Sequence, residues 1–136
     1  MHTARGEFIV TLKPLEFEGA DPEAKLGRLS IDKRISGDLE AVTAGQMLSA
    51  MTATKGSAGY VAIEQVSGVL DGKRGSFILQ HTGSMNRGVP SLVVTVVPDS
   101  GTGELTGLEG EFTITIEEGR HFYEFSYRLP ARESAS

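Results

Sequence analysis

Glu64 and His81 are the side chains best suited to proton chemistry in this sequence. They lie on the two arms of Gly59–His81, GYVAIEQVSGVLDGKRGSFILQH, a stretch otherwise rich in apolar residues. Asp-Gly between two such runs is a strong signal for a two-residue type I′ hairpin turn. With the turn at Asp71-Gly72, Leu70 faces Lys73, and pairing continues to Val66–Phe77, Glu64–Leu79 and Ala62–His81. One face then carries Tyr60, Ala62, Glu64, Val66, Phe77, Leu79 and His81, and its aromatics assign it inward. On that face Glu64 and His81 are diagonal neighbours, roughly 7 Å apart between backbones. A Glu in an apolar wall is pushed toward its neutral form by desolvation, and a neighbouring imidazolium draws it back toward the carboxylate. Such a pair can carry protons in an isomerisation, cyclisation or hydrolysis near neutral pH. The same pair also reads as a buried hydrogen bond that only holds strand register. A three-residue turn through Lys73, or a bulge at Gly75, would break the pairing.

Two further groups bear on the same chemistry. In an up-and-down arrangement of strands, Tyr60, Glu64, His81, His121 and Tyr123 gather toward one rim, a usual place for small-molecule sites in β-barrels. Candidate ligand-binding residues are therefore Tyr60, His121, Tyr123, Phe125 and Tyr127, with Glu64 and His81 as candidate catalytic residues. Tyr123, Phe125 and Tyr127 also fit plain core. Glu64, His81 and His121 would make a two-His, one-carboxylate metal set, but their sequence spacing gives that no support, and no metal or cofactor is expected. The stretch Pro98-Asp99-Ser100-Gly101-Thr102-Gly103-Glu104-Leu105 lacks the spacing and the Lys of a phosphate loop, and reads as a turn-rich connection. Thr82-Gly83-Ser84-Met85 has no nucleophile elbow, so a serine triad has little support.

The elements that must position these groups read as strands. Seventeen glycines punctuate β-branched and aromatic runs, which favours an all-β chain with tight turns. Eight strands are predicted, over residues 4–13, 26–36, 38–48, 58–70, 73–85, 90–98, 109–117 and 120–129. Residues 44–53 admit either a strand or a helical turn or two, since Met47, Leu48 and Met51 share a helical face. The clearest unit is the last hairpin. With a turn at Glu118-Gly119, Phe112, Ile114, Ile116, His121, Tyr123, Phe125 and Tyr127 share one face, and the opposite face is polar apart from Phe122. A meander of eight strands leaves edges that invite aggregation unless the sheet closes, and an even count allows antiparallel closure. The expected fold is an eight-stranded antiparallel meander barrel formed by residues 1–130, with residues 131–136 as a frayed tail. A β-sandwich is the rival architecture.

Composition narrows the partners. The chain has 136 residues, a net charge of −5 and no cysteine. An acidic chain without a basic face does not grip nucleic acid or an anionic membrane. Disulfides, thiolate catalysis and zinc–sulfur sites are excluded. The first residues lack the basic region and apolar core of a secretory signal, and no apolar run approaches the roughly 20 residues that span a bilayer, so a cytoplasmic protein is expected.

Several segments carry a family resemblance: Lys33-Arg34-Ile35-Ser36-Gly37-Asp38-Leu39, Gly59–Glu64, Gly68–Gly72 running on to Gly75–His81, Val96–Leu105, and His121-Phe122-Tyr123. Over nearly its whole length the chain resembles the bacterial domain-of-unknown-function 3224 family. The resemblance implies a closed barrel similar to that of plant allene oxide cyclases, which bind an unsaturated fatty epoxide and steer its ring closure. It implies no established activity, and no cyclase catalytic motif can be placed here. It also implies that a homo-oligomer is to be expected. Three functions follow: a barrel holding a mostly apolar small molecule at its mouth, a cofactor-independent isomerase, cyclase or hydrolase using the Glu–His pair, or a filled structural barrel that assembles through exposed Val61, Ile63 and Ile78.

Overall fold

The structure is a computed structural model and describes residues 1–130; the expected frayed tail lies outside the described residues. Eight antiparallel strands follow one another around a closed barrel: β1 (His2–Leu15), β2 (Leu26–Gly37), β3 (Leu39–Met51), β4 (Ala58–Leu70), β5 (Lys73–Asn86), β6 (Val89–Val96), β7 (Glu109–Glu117) and β8 (Arg120–Arg128). β1 pairs with β8, so the sheet closes on itself. The ambiguous segment at 44–53 is strand almost to its end, because Met47 and Ser49 continue the half-buried inward alternation begun by Leu39 and Thr43.

The turns place the barrel in register. Asp71 and Gly72 both have positive φ, at 46° and 82°, as do Glu118 and Gly119, at 49° and 77°. These are the two-residue turns whose twist matches that of the flanking strands. Pairing in both hairpins runs as the alternation predicts, from Leu70–Lys73 to Ala62–His81 and from Glu117–Arg120 to Phe112–Phe125. A slip of one residue would put Phe77 and Phe125 in water and Glu124 in the core.

The barrel has two unlike halves. Its lower end carries the β2–β3 and β4–β5 turns and the β6–β7 connection. Here the interior is filled: Phe77 stacks on Phe125 at 5.7 Å between ring centres, and Phe112 on Tyr123 at 5.0 Å. Leu105, at the end of a single 3₁₀ turn, and Leu108 are fully buried and plug this end. Each such side chain contributes roughly 1.5–3 kcal/mol by leaving water. The glycine-rich connection is thus a stopper. The Thr102 Oγ1 accepts from the Ser76 N–H, and Ser100 Oγ from that of Ile78, which ties the connection to β5.

The upper end carries the other four connections and is open. Inward-facing Leu12, Leu92 and Ile116 remain exposed at 49%, 43% and 64%. β6 and β7 share a single register pair, Thr95–Glu111, near their lower ends. Among the described residues no ladder joins them above it. Pro90, with no N–H to offer, sits on this loosened part of β6, a feature that discourages edge pairing.

Candidate functional site

At mid-height, where the packed half meets the open half, four strands direct polar side chains into the wall. β4 supplies Glu64, fully buried; β2 supplies Lys33, β3 Thr43 and β5 His81, all buried as well. Glu64 Oε1 accepts from Lys33 Nζ at 3.1 Å and lies 2.9 Å from His81 Nε2. Glu64 Oε2 accepts from the Thr43 hydroxyl at 2.6 Å, and the same Thr43 oxygen accepts from the Lys33 backbone N–H at 3.0 Å. Among the described residues no buried side-chain nitrogen or oxygen lacks a partner. A buried charge is tolerable only when paired and hydrogen-bonded in this way.

The electrostatics follow from the geometry. Burial pushes the Glu64 carboxyl up. The His81 hydrogen bond, the Lys33 charge, the Thr43 hydroxyl and the His81 charge together outweigh burial and hold the carboxyl at about 2. Glu64 is therefore ionised at any ordinary pH and can only accept hydrogen bonds. It follows that His81 Nε2 carries a proton and donates it to Oε1, whichever charge state the ring has. His81 Nδ1 is then the atom that can take or give a proton. It has no hydrogen bond among the described residues, yet it is not sealed off, since sealed and unpartnered atoms are absent there. Nδ1 faces space that a water molecule can reach.

Above this group the upper mouth forms a hollow of about 390 Å³ with a mostly apolar lining that includes Met47, Met51, Tyr60, Met85, Pro90 and Leu92. Tyr60 is its link to the charged group. Its ring occupies the space over Gly83 so closely that a Cβ there would lie 2.3 Å from the ring. Gly83 is two residues from His81 on the same face of β5, so Tyr60 covers the position on the wall next above the imidazole. Burial, and then the Glu64 charge, push the Tyr60 hydroxyl up, and it stays protonated. Neither Glu64 nor His81 lines the hollow itself; they lie below it.

The candidate residues thus divide. Glu64 and His81 meet, with Tyr60 one step above them. His121 does not join them: it is half-buried at the upper end, 5.1 Å from the Phe8 ring, and Lys33 Nζ lies 4.8 Å from the centre of that same ring. Tyr123, Phe125 and Tyr127 are not at the mouth. They belong to the lower core. The Tyr123 hydroxyl donates to Ser36 O at 2.8 Å and accepts from the Leu39 N–H at 3.1 Å, and burial pushes it up to about 12. Tyr127 donates to the Asp71 carboxylate beside the β4–β5 turn, and burial and that carboxylate push its hydroxyl up. Among the described residues no three His, Cys, Asp or Glu side chains are grouped so as to hold a metal ion.

Sequence reasoning passed over Lys33 and Thr43. The signal was present: Leu29, Ile31, Lys33 and Ile35 alternate, and parity puts Lys33 on the inner face. A lysine at a buried parity position implies a buried carboxylate, and Glu64 was available.

No curated protein matches the chain. A solved crystal structure from Shewanella oneidensis MR-1, described as a protein with unknown function from the DUF3224 family, is 53% identical, with a TM-score of 0.90 over 95% of this chain and 98% of that one. The profile of the family described as protein of unknown function (DUF3224) matches residues 4–127. With that span and that identity, the chain belongs to the DUF3224 family.

Proposed function

We propose that this barrel binds a mostly apolar small molecule in its upper mouth, with His81 and Tyr60 as the polar contacts that orient it. One observation carries the reading: an apolar hollow of about 390 Å³ opens above a buried charged group instead of being filled by side chains as the lower half is. That volume lies within the range of small-molecule sites, which combine apolar walls with a few convergent polar atoms. Met47, Met51 and Met85 are adaptable walls suited to an aliphatic body. Phe125 and Tyr127 act from below as packing, and His121 flanks the far side of the mouth. A non-denaturing mass spectrum of the protein purified from its host tests the proposal. The expected result is an adduct that organic extraction removes, with a thermal shift on return of the extract. A bare apo mass, with no thermal shift across a panel of lipids and metabolites, refutes it.

A second reading, proton-transfer catalysis, is favoured by the disposition of His81. A carboxylate that fixes one ring nitrogen as donor and leaves the other free is the arrangement that orients a general base. In this reading Glu64 positions and His81 carries the proton. A pH–rate profile tracking one imidazole, lost in His81→Gln, is the expected signature. The outer face bears exposed Leu48, Val61, Ile63 and Val93, which supports assembly with further copies. Sedimentation of the purified protein as a monomer at micromolar concentration would refute that part.

A further inference from the structure

The charges on the inner wall select among apolar ligands. Among the described residues Glu64 is the one carboxylate that the strand alternation turns inward; Asp32, Glu40, Glu111 and Glu117 are exposed on the outer face or at the rim. Its two oxygens already accept from Lys33, His81 and Thr43. Nothing acidic is left on this wall for a cationic head group, which would also face Lys33. Lys33 itself is committed to Glu64 and lies over Phe8. The uncommitted titratable atoms near the hollow are His81 Nδ1 and the Tyr60 hydroxyl, neither of which has a hydrogen bond among the described residues. Around His81 the other groups are Glu64 on β4, Lys33 on β2 and Val94, its apolar partner on β6; His121 on β8 stands off behind Phe8. With Glu64 and Lys33 cancelling, a proton on Nδ1 gives the wall below the hollow one net positive charge.

We propose, resting on the mouth-binding reading above, that the ligand is an amphipathic anion, an apolar body with one acidic head, received by the protonated Nδ1–H of His81 and by the Tyr60 hydroxyl. The two donors are adjacent on the wall, Tyr60 over Gly83 and His81 two residues below it, a step of roughly 7 Å along the strand. Charge-assisted hydrogen bonds of this kind are the strong ones in a site of low dielectric. Because the anion binds the imidazolium form, binding takes up a proton. Affinity then rises as pH falls, by at most about tenfold per pH unit for one linked proton.

The test uses octane-1-sulfonate, which stays ionised throughout, against octan-1-ol, which has the same body and no charge. Calorimetry between pH 6 and pH 8, in buffers of different ionisation enthalpy, gives affinity and proton uptake together. The sulfonate is expected to tighten at least about fivefold over that range, with uptake approaching one proton, while octanol stays flat. His81→Gln keeps an amide N–H for Glu64 but has no nitrogen that titrates; with sulfonate it should show neither proton uptake nor pH dependence. Tyr60→Phe should weaken sulfonate yet retain the proton uptake, and so serves if the His81 variant does not fold. A pH-flat sulfonate affinity, uptake that persists in His81→Gln, or octanol binding without sulfonate binding overturns the anion inference alone. Failure of both probes to bind removes the mouth-binding reading with it.

Discussion

Replacing Glu64 by Gln removes the carboxylate on which the mid-barrel group depends, and its cost can be worked out. The carboxyl lies at about 2 in the folded protein against an ordinary value of 4.5. The difference, 4.5 − 2, is about 2.5 units, or about 3 kcal/mol at roughly 1.4 kcal/mol per unit. Breaking a buried ion pair by removing one partner costs about 3–5 kcal/mol by independent reasoning, because Lys33 is left buried without an anion. The two routes agree near 3 kcal/mol. The sign is set by the depressed folded value: the contribution is complete above pH 4.5 and is lost as pH falls toward 2. At pH 3 less than half should remain, roughly 40% from the linkage relation. Urea unfolding of the parent and Glu64→Gln at pH 7, 5, 4 and 3 measures this directly. The gap between the two proteins should be about 3 kcal/mol at pH 7 and 5, and should narrow below pH 4.5 toward zero. A gap below about 1 kcal/mol at pH 7, or one that stays constant down to pH 3, would refute the account of Glu64 as an ionised hub.

Lys33→Met alone should destabilise by about 3 kcal/mol in urea unfolding at pH 7, and the double change Lys33→Met with Glu64→Gln should cost clearly less than the sum of the two single changes, as expected of partners in one buried ion pair. Thr43→Val removes a donor to Glu64 and the acceptor for the Lys33 N–H; about 2 kcal/mol should be lost in thermal unfolding, and the acid-unfolding midpoint should move to higher pH as the carboxyl rises. Leu105→Ala opens the lower plug and should cost about 2–5 kcal/mol while octanol affinity stays unchanged, a separation of the two halves that calorimetry on the folded variant checks. Gly83→Ala should cost about 1–3 kcal/mol and weaken octanol binding, because the new methyl displaces the Tyr60 ring into the hollow.

Much of this architecture was legible because the side-chain period of a strand is two. Asp71-Gly72 and Glu118-Gly119 declared their turns, and from each turn the alternation ran without error through every register pair of both hairpins. The Glu64–His81 contact followed from that register alone. What alternation cannot supply is height and closure. Tyr123, Phe125 and Tyr127 have inward parity like Glu64, yet β8 runs downward from His121, so the three aromatics fall progressively deeper into the packed half. Their place is decided by the Leu105 and Leu108 plug, contributed by a connection whose composition reads only as a turn. The partial seam between β6 and β7 has no local signature apart from Pro90. Lys33 was overlooked for a different reason: its charge suggests the surface, and only its parity between Ile31 and Ile35 says otherwise.

The mid-barrel group calls for an explanation other than stability. A buried ion pair generally gives no more stability than well-packed apolar residues of the same volume, so its presence does not follow from folding energetics. Register is an inadequate reason too. The β4–β5 register is already fixed by a type I′ turn and by thirteen residues of alternation on each side of it, from Leu70–Lys73 to Ala58–Met85. What the group does that apolar residues cannot is hold one imidazole in one tautomer, with Nε2 turned toward Glu64 and Nδ1 left free. The His81 hydrogen bond, the Lys33 charge and the Thr43 hydroxyl keep Glu64 ionised, Glu64 keeps Nε2 protonated, and Nδ1 is the ring's remaining free atom. Three buried side chains fixing the state of a fourth is the arrangement on which the mouth-binding proposal draws, and the comparison of parent and His81→Gln with octane-1-sulfonate decides whether a ligand meets that ring.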